Sequence, residues 1–244
     1  MIVVIGDPTL QPAAGTASSV AGGPTAVIAR ACAAAGAAVQ IAGKIGDDEA
    51  GNEVLLSLSR DGIGHVALLR DAGLATLVVP ALDVADPDLE APSVDAAWAL
   101  ETDDELAEAD TKTLGDVEGP AEGPSPDPRS RPSALAPEDL DLALRYLVTF
   151  AVLVVAEPVV TETLAVAAEA ASFSGAHLVV AARTADVPPL SGEAVTVLEP
   201  PPADPDGDFA ALVARYAVAL DAGQPSAAAF RGALGGSVWE PAAP

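Results

Sequence analysis

Aromatic residues, basic residues and cysteine are all scarce in this sequence. Aromatic side chains make up 3% of the 244 residues, although half of the residues are hydrophobic. The core must therefore consist of Ala, Val and Leu, and such small side chains let helices pack closely on a sheet. The only cysteine, Cys32, cannot form a disulfide within the chain. We therefore expect a cytoplasmic protein in which Cys32 is buried.

Positive charge is rare: 11 Lys and Arg stand against 36 Asp and Glu, which gives a net charge of −25. A surface this acidic repels phosphate backbones and anionic lipids, so we expect neither a nucleic-acid partner nor a membrane partner. No apolar run reaches about 18 residues, so no membrane span is predicted. The apolar start MIVVIGDP lacks a basic region, so no signal peptide is predicted.

Short apolar runs alternate with helical patterns along much of the chain. This order predicts an α/β sheet with right-handed crossover helices. The predicted strands lie at 2–5, 38–42, 65–69, 75–82, 150–156, 177–182 and 194–198. The predicted helices lie at 24–35, 49–60, 137–146, 161–173, 209–220 and 226–234.

The middle of the chain differs in composition from both ends. Residues 83–127 contain fifteen acidic side chains and a single lysine, and 119–133 is dense in Pro, Gly and Ser. Such a segment cannot bury enough apolar surface to offset its ordering entropy. We expect 101–133 to be mobile, with a helix near 104–110. The acids are interpreted as a solvated charge run, and a metal cluster or a surface for a basic partner is the alternative.

Two stretches of sequence resemble a known family. In the first, Gly22-Gly23 leads into an Ala-rich helix, followed by AVQIAGKIGDDEAG, a second helix and its end at Arg-Asp-Gly-Ile. In the second, LAPEDLDLALRYLVTFAVLVVAEP combines a helix, a central strand and a Glu-Pro end. These stretches resemble the ribokinase family of carbohydrate kinases, also called the PfkB family. The likeness is strongest across 1–70, recurs over 136–183 and covers about half of the chain.

The resemblance implies one ribokinase-like domain over 1–244. It implies a doubly wound, mostly parallel sheet with helices on both faces and a small β lid, with lid elements at about 9–20 and 75–100. Members of the family transfer the γ-phosphoryl group of ATP, with Mg²⁺, to a hydroxyl group of a sugar or nucleoside. An aspartate in a Gly-Ala-Gly-Asp turn is the base, and amides of the following helix hold the phosphoryl charge. The family's lid often mediates dimers, so a homodimer through the lid is an expectation.

Gly22, Gly23 and Glu157 are the candidate substrate-binding residues that the resemblance implies. The glycines would let a ligand approach the backbone closely. Glu157 stands at the carboxyl end of a central strand, where ligands bind in such sheets. An exposed strand-end acid is the alternative role for Glu157.

Two other sugar contacts of the family are altered. An aspartate normally follows the first strand, but here Asp7 stands too early and Gln11 carries no charge. The family's asparagine after Gly-Gly corresponds to Val27, which cannot bind a hydroxyl group. These changes predict weakened or altered sugar recognition.

The phosphoryl site is altered further. The sequence has no Gly-Ala-Gly-Asp, and the nearest match is DPDGDF, in which Gly207 is the candidate anion turn and Asp208 the candidate base. Pro205 lacks an N–H, and the additional acids repel a triphosphate. A helix cap is the alternative role for Asp208. The family's Asn-x-x-Glu motif for Mg²⁺ has no clear counterpart.

GKIGDDEAG (43–51) attracts attention because two aspartates stand between glycines. We interpret Asp47 or Asp48 as the cap of the next helix, with a metal site as the alternative. The sequence therefore predicts a catalytically degenerate protein with a sugar-kinase fold that binds a small molecule or a partner. The alternative is an active kinase that uses ATP and Mg²⁺, with Asp208 as its base and a sugar or nucleoside as its substrate.

Overall fold

The computed structural model describes residues 1–13, 18–79, 133–147, 149–190, 194–202, 204 and 207–235. All but the last residue of the predicted mobile segment 101–133 lies outside the described residues. The same holds for the predicted lid element from residue 80 onward, so these boundaries stay predictions. None of the described helices is long and apolar enough to span a bilayer.

Six parallel strands form the main sheet in the described part of the chain, in the order β5-β4-β1-β6-β7-β8. Strands β2 and β3 form a separate antiparallel pair. The bounds are β1 Ile2–Ile5, β2 Thr9–Pro12, β3 Ser19–Gly22, β4 Val39–Gly46, β5 Gly64–Asp71, β6 Val152–Val155, β7 His177–Ala181 and β8 Val195–Leu198.

Helices follow most of the strands. Their bounds are α1 Gly23–Ala34, α2 Glu49–Arg60, α3 Pro137–Arg145, α4 Thr161–Ser174, α5 Asp208–Asp221 and α6 Ser226–Leu234. A proline stands in the first turn of α1 and of α3, where its missing N–H costs nothing. α4 ends at Gly175, whose φ of 70° closes the helix in the left-handed conformation.

Helices cover both faces of the main sheet, and the side chains of β1 show the division. Ile2 and Val4 point into one apolar cluster, which contains residues of α1, α5 and α6. Val3 and Ile5 point into the other, which contains residues of α3 and α4. This alternation is the two-residue period of a strand. All four side chains are fully buried, and the predicted doubly wound α/β fold is confirmed.

The region around β2 and β3 differs from the predicted secondary structure. The residue pattern predicted no strand over 9–22, although the resemblance implies a lid element at about 9–20. There β2 pairs with β3 through Leu10 opposite Ala21. The strand predicted over 75–82 is wrong for 75–79, where Val78 makes one isolated bridge to Leu10. Hydrogen bonds join Leu10 to Leu77 and Val79, and no ladder extends from them within the described residues.

Candidate functional site

The candidate site lies where the strand order reverses. β1 pairs with β4 on one side and with β6 on the other. In doubly wound sheets this is where ligands bind, outside the carboxyl ends of the strands. A cleft of about 60 Å³ lies at these strand ends. The polar side chains that line it are those of Asp7, Thr9, Lys44, Thr76, Ser133 and Glu157.

Glu157 follows β6 and is largely withdrawn from water. Its Oε1 accepts a hydrogen bond from the backbone amide of Asp7. Burial raises the pKa of the Glu157 carboxyl to about 8, the hydrogen bond from the Asp7 amide opposes this shift, and the nearby Asp7 charge adds to it. Near pH 7 the carboxyl is therefore protonated, so it can donate a hydrogen bond as well as accept one.

Asp7 lies beside Glu157, but both of its oxygens are engaged. Oδ1 accepts from the Lys44 amide at 2.7 Å, and Oδ2 accepts from the Ala134 amide at 2.6 Å. Burial raises the pKa of Asp7, although these hydrogen bonds work against the shift. Asp7 therefore links the end of β1 to the segment that precedes α3. Asp7 was predicted to stand too early for the family's sugar contact, and the structural role that these hydrogen bonds give it was not predicted.

Lys44 supplies the basic side chain of the cleft, and it too is engaged. Its Nζ lies 2.6 Å from Asp139 Oδ2 and 3.7 Å from Asp71 Oδ2. The hydrogen bond to Asp139 raises the pKa of Lys44, so the side chain stays charged. Two carboxylates already neutralise this charge, so Lys44 offers little attraction to an added phosphate.

The two predicted glycines have different roles. Gly23 begins α1 with a φ of 78°, a conformation that favours glycine. Gly22 stands against the Gln11 side chain, which a Cβ at Gly22 would meet at 2.3 Å. Gln11 therefore fills the space next to Gly22. Val27 packs against the core.

Two threonine hydroxyls near the cleft lack a hydrogen-bond partner among the described residues, namely Thr9 Oγ1 and Thr25 Oγ1. Thr9 lines the cleft and is 9% exposed, whereas Thr25 is fully buried. Thr25 Oγ1 and Glu157 Oε1 pack closely against Gly6, because a Cβ there would lie only 2.2 and 2.6 Å from them. A buried hydroxyl without a partner is unfavourable, and a ligand hydroxyl can supply one.

GKIGDDEAG forms the turn from β4 into α2. Asp48 caps α2, because its Oδ1 accepts from the Gly51 amide at 2.7 Å. Hydrogen bonds from Thr76 and Gly51 lower the pKa of Asp48. Asp47 pairs with Arg70 at 2.5 Å on the surface. The predicted cap is therefore Asp48.

The start of α5 holds the predicted phosphoryl-site residues. Gly207 adopts a φ of 74°, and Asp208 is the exposed first residue of the helix. The alternative role of Asp208 as helix cap is wrong, because Asp204 accepts from the Phe209 amide at 3.1 Å and from the Ala210 amide at 3.2 Å. The left-handed Gly207 turns the chain back, which brings Asp204 onto the helix end. Among the described residues, those lining the cleft include Glu157 but neither Gly207 nor Asp208.

The start of α5 does not fit the phosphate groups of the ATP that the resemblance implies. A helix start holds a phosphate through its free amides. Here Asp204 already occupies two of these amides. No group of three or more His, Cys, Asp or Glu side chains within the described ranges could hold a metal ion.

Sequence reasoning missed Thr9, Thr25, Lys44 and Asp204. A threonine in a small-residue segment carries no distinctive signal, and burial without a partner becomes visible only in three dimensions. Lys44 could have been found, because it stands near the carboxyl end of a predicted parallel strand. Asp204 could have been found only by expecting a turn at Gly207.

Comparison with known proteins supports this fold. The pfkB family carbohydrate kinase pattern matches residues 2–108. The structure of Sa239 covers 99% of this chain and 95% of its own at 13% identity, with a TM-score of 0.56. That of aminoimidazole riboside kinase from Salmonella enterica covers 96% and 89% at 13% identity, with a TM-score of 0.52.

A further structural alignment covers less of the chain, and the search of curated proteins found no match. The fructokinase of Halothermothrix orenii aligns over 32% of each chain at 21% identity, with a TM-score of 0.28. No curated protein matches the chain. The predicted resemblance is nevertheless confirmed by the family match and by the shared fold. The chain is a protein of the ribokinase-like fold whose residues 2–108 match the pfkB family of carbohydrate kinases.

Proposed function

We propose that the chain binds a small polyol, such as a sugar or a nucleoside, in the cleft beside Glu157. Two polar groups that line the cleft can serve a ligand hydroxyl: the protonated Glu157 carboxyl and the unpartnered hydroxyl of Thr9. A hydroxyl group both donates and accepts, so it can satisfy groups of either kind.

We also propose that phosphoryl transfer is lost or severely reduced. One observation carries this proposal: the Asp204 carboxylate occupies the Phe209 and Ala210 amides at the start of α5. A transferred phosphoryl group needs such amides free for its charge. ATP would have to displace a tethered carboxylate and approach it against like charge. The protein therefore acts through binding.

Calorimetry with ATP and Mg²⁺ tests the phosphoryl half of the proposal, together with a turnover assay using D-ribose, D-fructose and adenosine. We expect no turnover, and binding of at least one polyol without ATP. Asp204→Ala, which frees the two amides, should bind ATP more tightly than the original chain. ATP-dependent turnover by the original chain would contradict the proposal. Equal ATP binding by Asp204→Ala and the original chain would show that Asp204 does not block the phosphate.

An active kinase is the second candidate, and the position of Asp208 favours it. Asp208 is exposed, directly follows the left-handed Gly207 and begins a helix. A base at a helix start can take a proton from a hydroxyl beside the amides that hold the charge. Turnover that is lost in Asp208→Asn, with folding intact by circular dichroism, would establish this candidate over the first.

A further inference from the structure

Residues 74–79, called here the wall segment, form one side of the cleft. Its residues 74–77 line the cleft. The segment is also bonded to β2: the Leu10 amide donates to the Leu77 carbonyl, and the Val79 amide donates to the Leu10 carbonyl, both at 2.8 Å. Its placement therefore determines the shape of the cleft and the attachment of the β2–β3 sheet.

One carboxylate holds the wall segment in place. Asp48 Oδ2 accepts from the Thr76 amide at 2.8 Å, and Asp48 Oδ1 accepts from the Thr76 hydroxyl at 2.7 Å. The same hydroxyl accepts from the Gly46 amide at 2.9 Å, and Thr76 is 7% exposed. Asp48 and Thr76 thus join the end of β4, the start of α2 and the wall segment.

We propose that Asp48 and Thr76 are positioning residues for ligand binding. Their two mutual hydrogen bonds, called here the Asp48–Thr76 clasp, hold the wall segment and the β2–β3 sheet bonded to it beside the cleft. Segments with few buried contacts open locally, and a ligand binds only the fraction of molecules in the competent arrangement. The clasp raises that fraction. Its effect on affinity rests on the proposed polyol binding, whereas its effect on the wall segment does not.

Variants separate the clasp from the helix cap. Asp48→Ser keeps an oxygen that can cap α2 but cannot accept from both Thr76 donors. Thr76→Val removes the hydroxyl and leaves the Asp48 cap intact, whereas Thr76→Ser keeps the hydroxyl. Asp47→Asn is the matched control, because Asp47 is the adjacent aspartate, is 54% exposed and pairs only with Arg70 among the described residues.

Amide hydrogen exchange of the full chain, resolved by NMR, tests the clasp without any ligand. Asp48→Ser and Thr76→Val should accelerate exchange of the Leu10, Thr76 and Val79 amides by about tenfold or more. Exchange at Ala156, which bonds to Ile5 within the main sheet, should stay unchanged. Thr76→Ser and Asp47→Asn should match the original chain. Unchanged exchange in Thr76→Val, or an equal acceleration at Ala156, would overturn the clasp.

Calorimetry with D-ribose, D-fructose and adenosine then tests the link to affinity. Any of these that binds the original chain should bind Asp48→Ser and Thr76→Val about tenfold more weakly, and Asp47→Asn equally well. Unchanged affinity alongside faster exchange would overturn the link. If none binds the original chain, the polyol proposal and the link both fail, while the exchange result still decides the clasp. Should Thr76→Val not fold, Thr76→Ala removes the same hydroxyl without adding a branched apolar group.

Discussion

The cleft beside Glu157 and the start of α5 are the regions where the resemblance places substrate binding and phosphoryl binding. They differ in how far their polar groups are satisfied. In the cleft, the Thr9 hydroxyl has no partner among the described residues, and neither has the buried Thr25 hydroxyl nearby. At the start of α5, Asp204 satisfies the Phe209 and Ala210 amides. Unsatisfied buried groups favour an added ligand, whereas satisfied ones oppose it. We therefore expect the cleft to bind a ligand more readily than the start of α5 does.

The largest expected effect comes from Glu157→Gln, measured as unfolding free energy against pH. Burial raises the folded-state pKa of Glu157 to about 8 from its ordinary value of 4.5, so the folded state holds its proton more tightly. The stabilisation from this group is complete below about pH 4.5 and is lost as pH rises to about 8. Gln cannot ionise, so the variant should be more stable than the original chain by roughly 2–4 kcal/mol at about pH 9.

At about pH 4.5 the two chains should differ little, because Glu157 is then protonated in both the folded and unfolded states to a large extent. Urea unfolding at several pH values measures the difference. A difference that stays constant across this range would show that Glu157 is not held in its protonated form.

Asp204→Ala should have the next largest effect. Removal of the cap should lower the unfolding free energy by about 1 kcal/mol. The freed amides should bind inorganic phosphate by donating hydrogen bonds to it. Phosphate should therefore raise the midpoint temperature of thermal unfolding more for this variant than for the original chain. Asp141→Ala is the control, because within the described residues the Asp141 side chain makes only an exposed i,i+4 pair with Arg145. Equal phosphate responses in all three chains would mean that the cap does not exclude anions.

Thr9→Val tests whether the unpartnered Thr9 hydroxyl in the cleft takes part in ligand binding. The variant removes a hydroxyl that has no partner among the described residues, so stability should stay equal or rise by up to about 1 kcal/mol. Polyol affinity should fall, and Thr9→Ser should keep it. Thermal unfolding and calorimetry measure the two effects. A marked loss of stability would indicate that the hydroxyl already has a partner in solution.

Asp208→Asn should have the smallest effect. The side chain is exposed in the first turn of α5, where a negative charge contributes about 0.3–1 kcal/mol through the helix dipole. Urea unfolding should show a loss within that range. High salt should reduce the difference, because an exposed charge is screened. A larger loss would place Asp208 in a buried interaction.

The sequence predicted the main sheet well because its central strands, β1, β6 and β7, are short apolar runs that are buried on both faces. FAVLVVA is such a run, and β6 lies within it. The residue pattern alone did not predict β2 and β3, because TLQP and SVAG contain Pro, Gln and Gly and are too short to show a period; only the resemblance implied a lid element there. The apolar residues after Ala75 resemble a strand, yet the Thr76 side chain holds them as an irregular wall.

The site was predicted less completely than the fold. Glu157 was found because the sequence alone shows that it directly follows an apolar strand. Asp7 was dismissed on spacing, whereas its contacts come from Lys44 and Ala134, which are distant in sequence. Asp204 was not recognised because a capping residue usually stands directly before its helix. Here the turn at Gly207 lets a residue four positions before α5 cap the helix.

The central position of β1 has a consequence for the order in which the chain is synthesised. β1 emerges early, and β4 can pair with one of its edges soon afterwards, but Ile2 pairs on the other edge with Val152. At a synthesis rate of 5–20 residues per second, that edge stays unpaired for roughly 7–30 s. An open apolar strand edge is a template for unwanted pairing. The nascent chain is therefore most prone to aggregation before β6 leaves the ribosome, and slower translation over the intervening region would lengthen that interval.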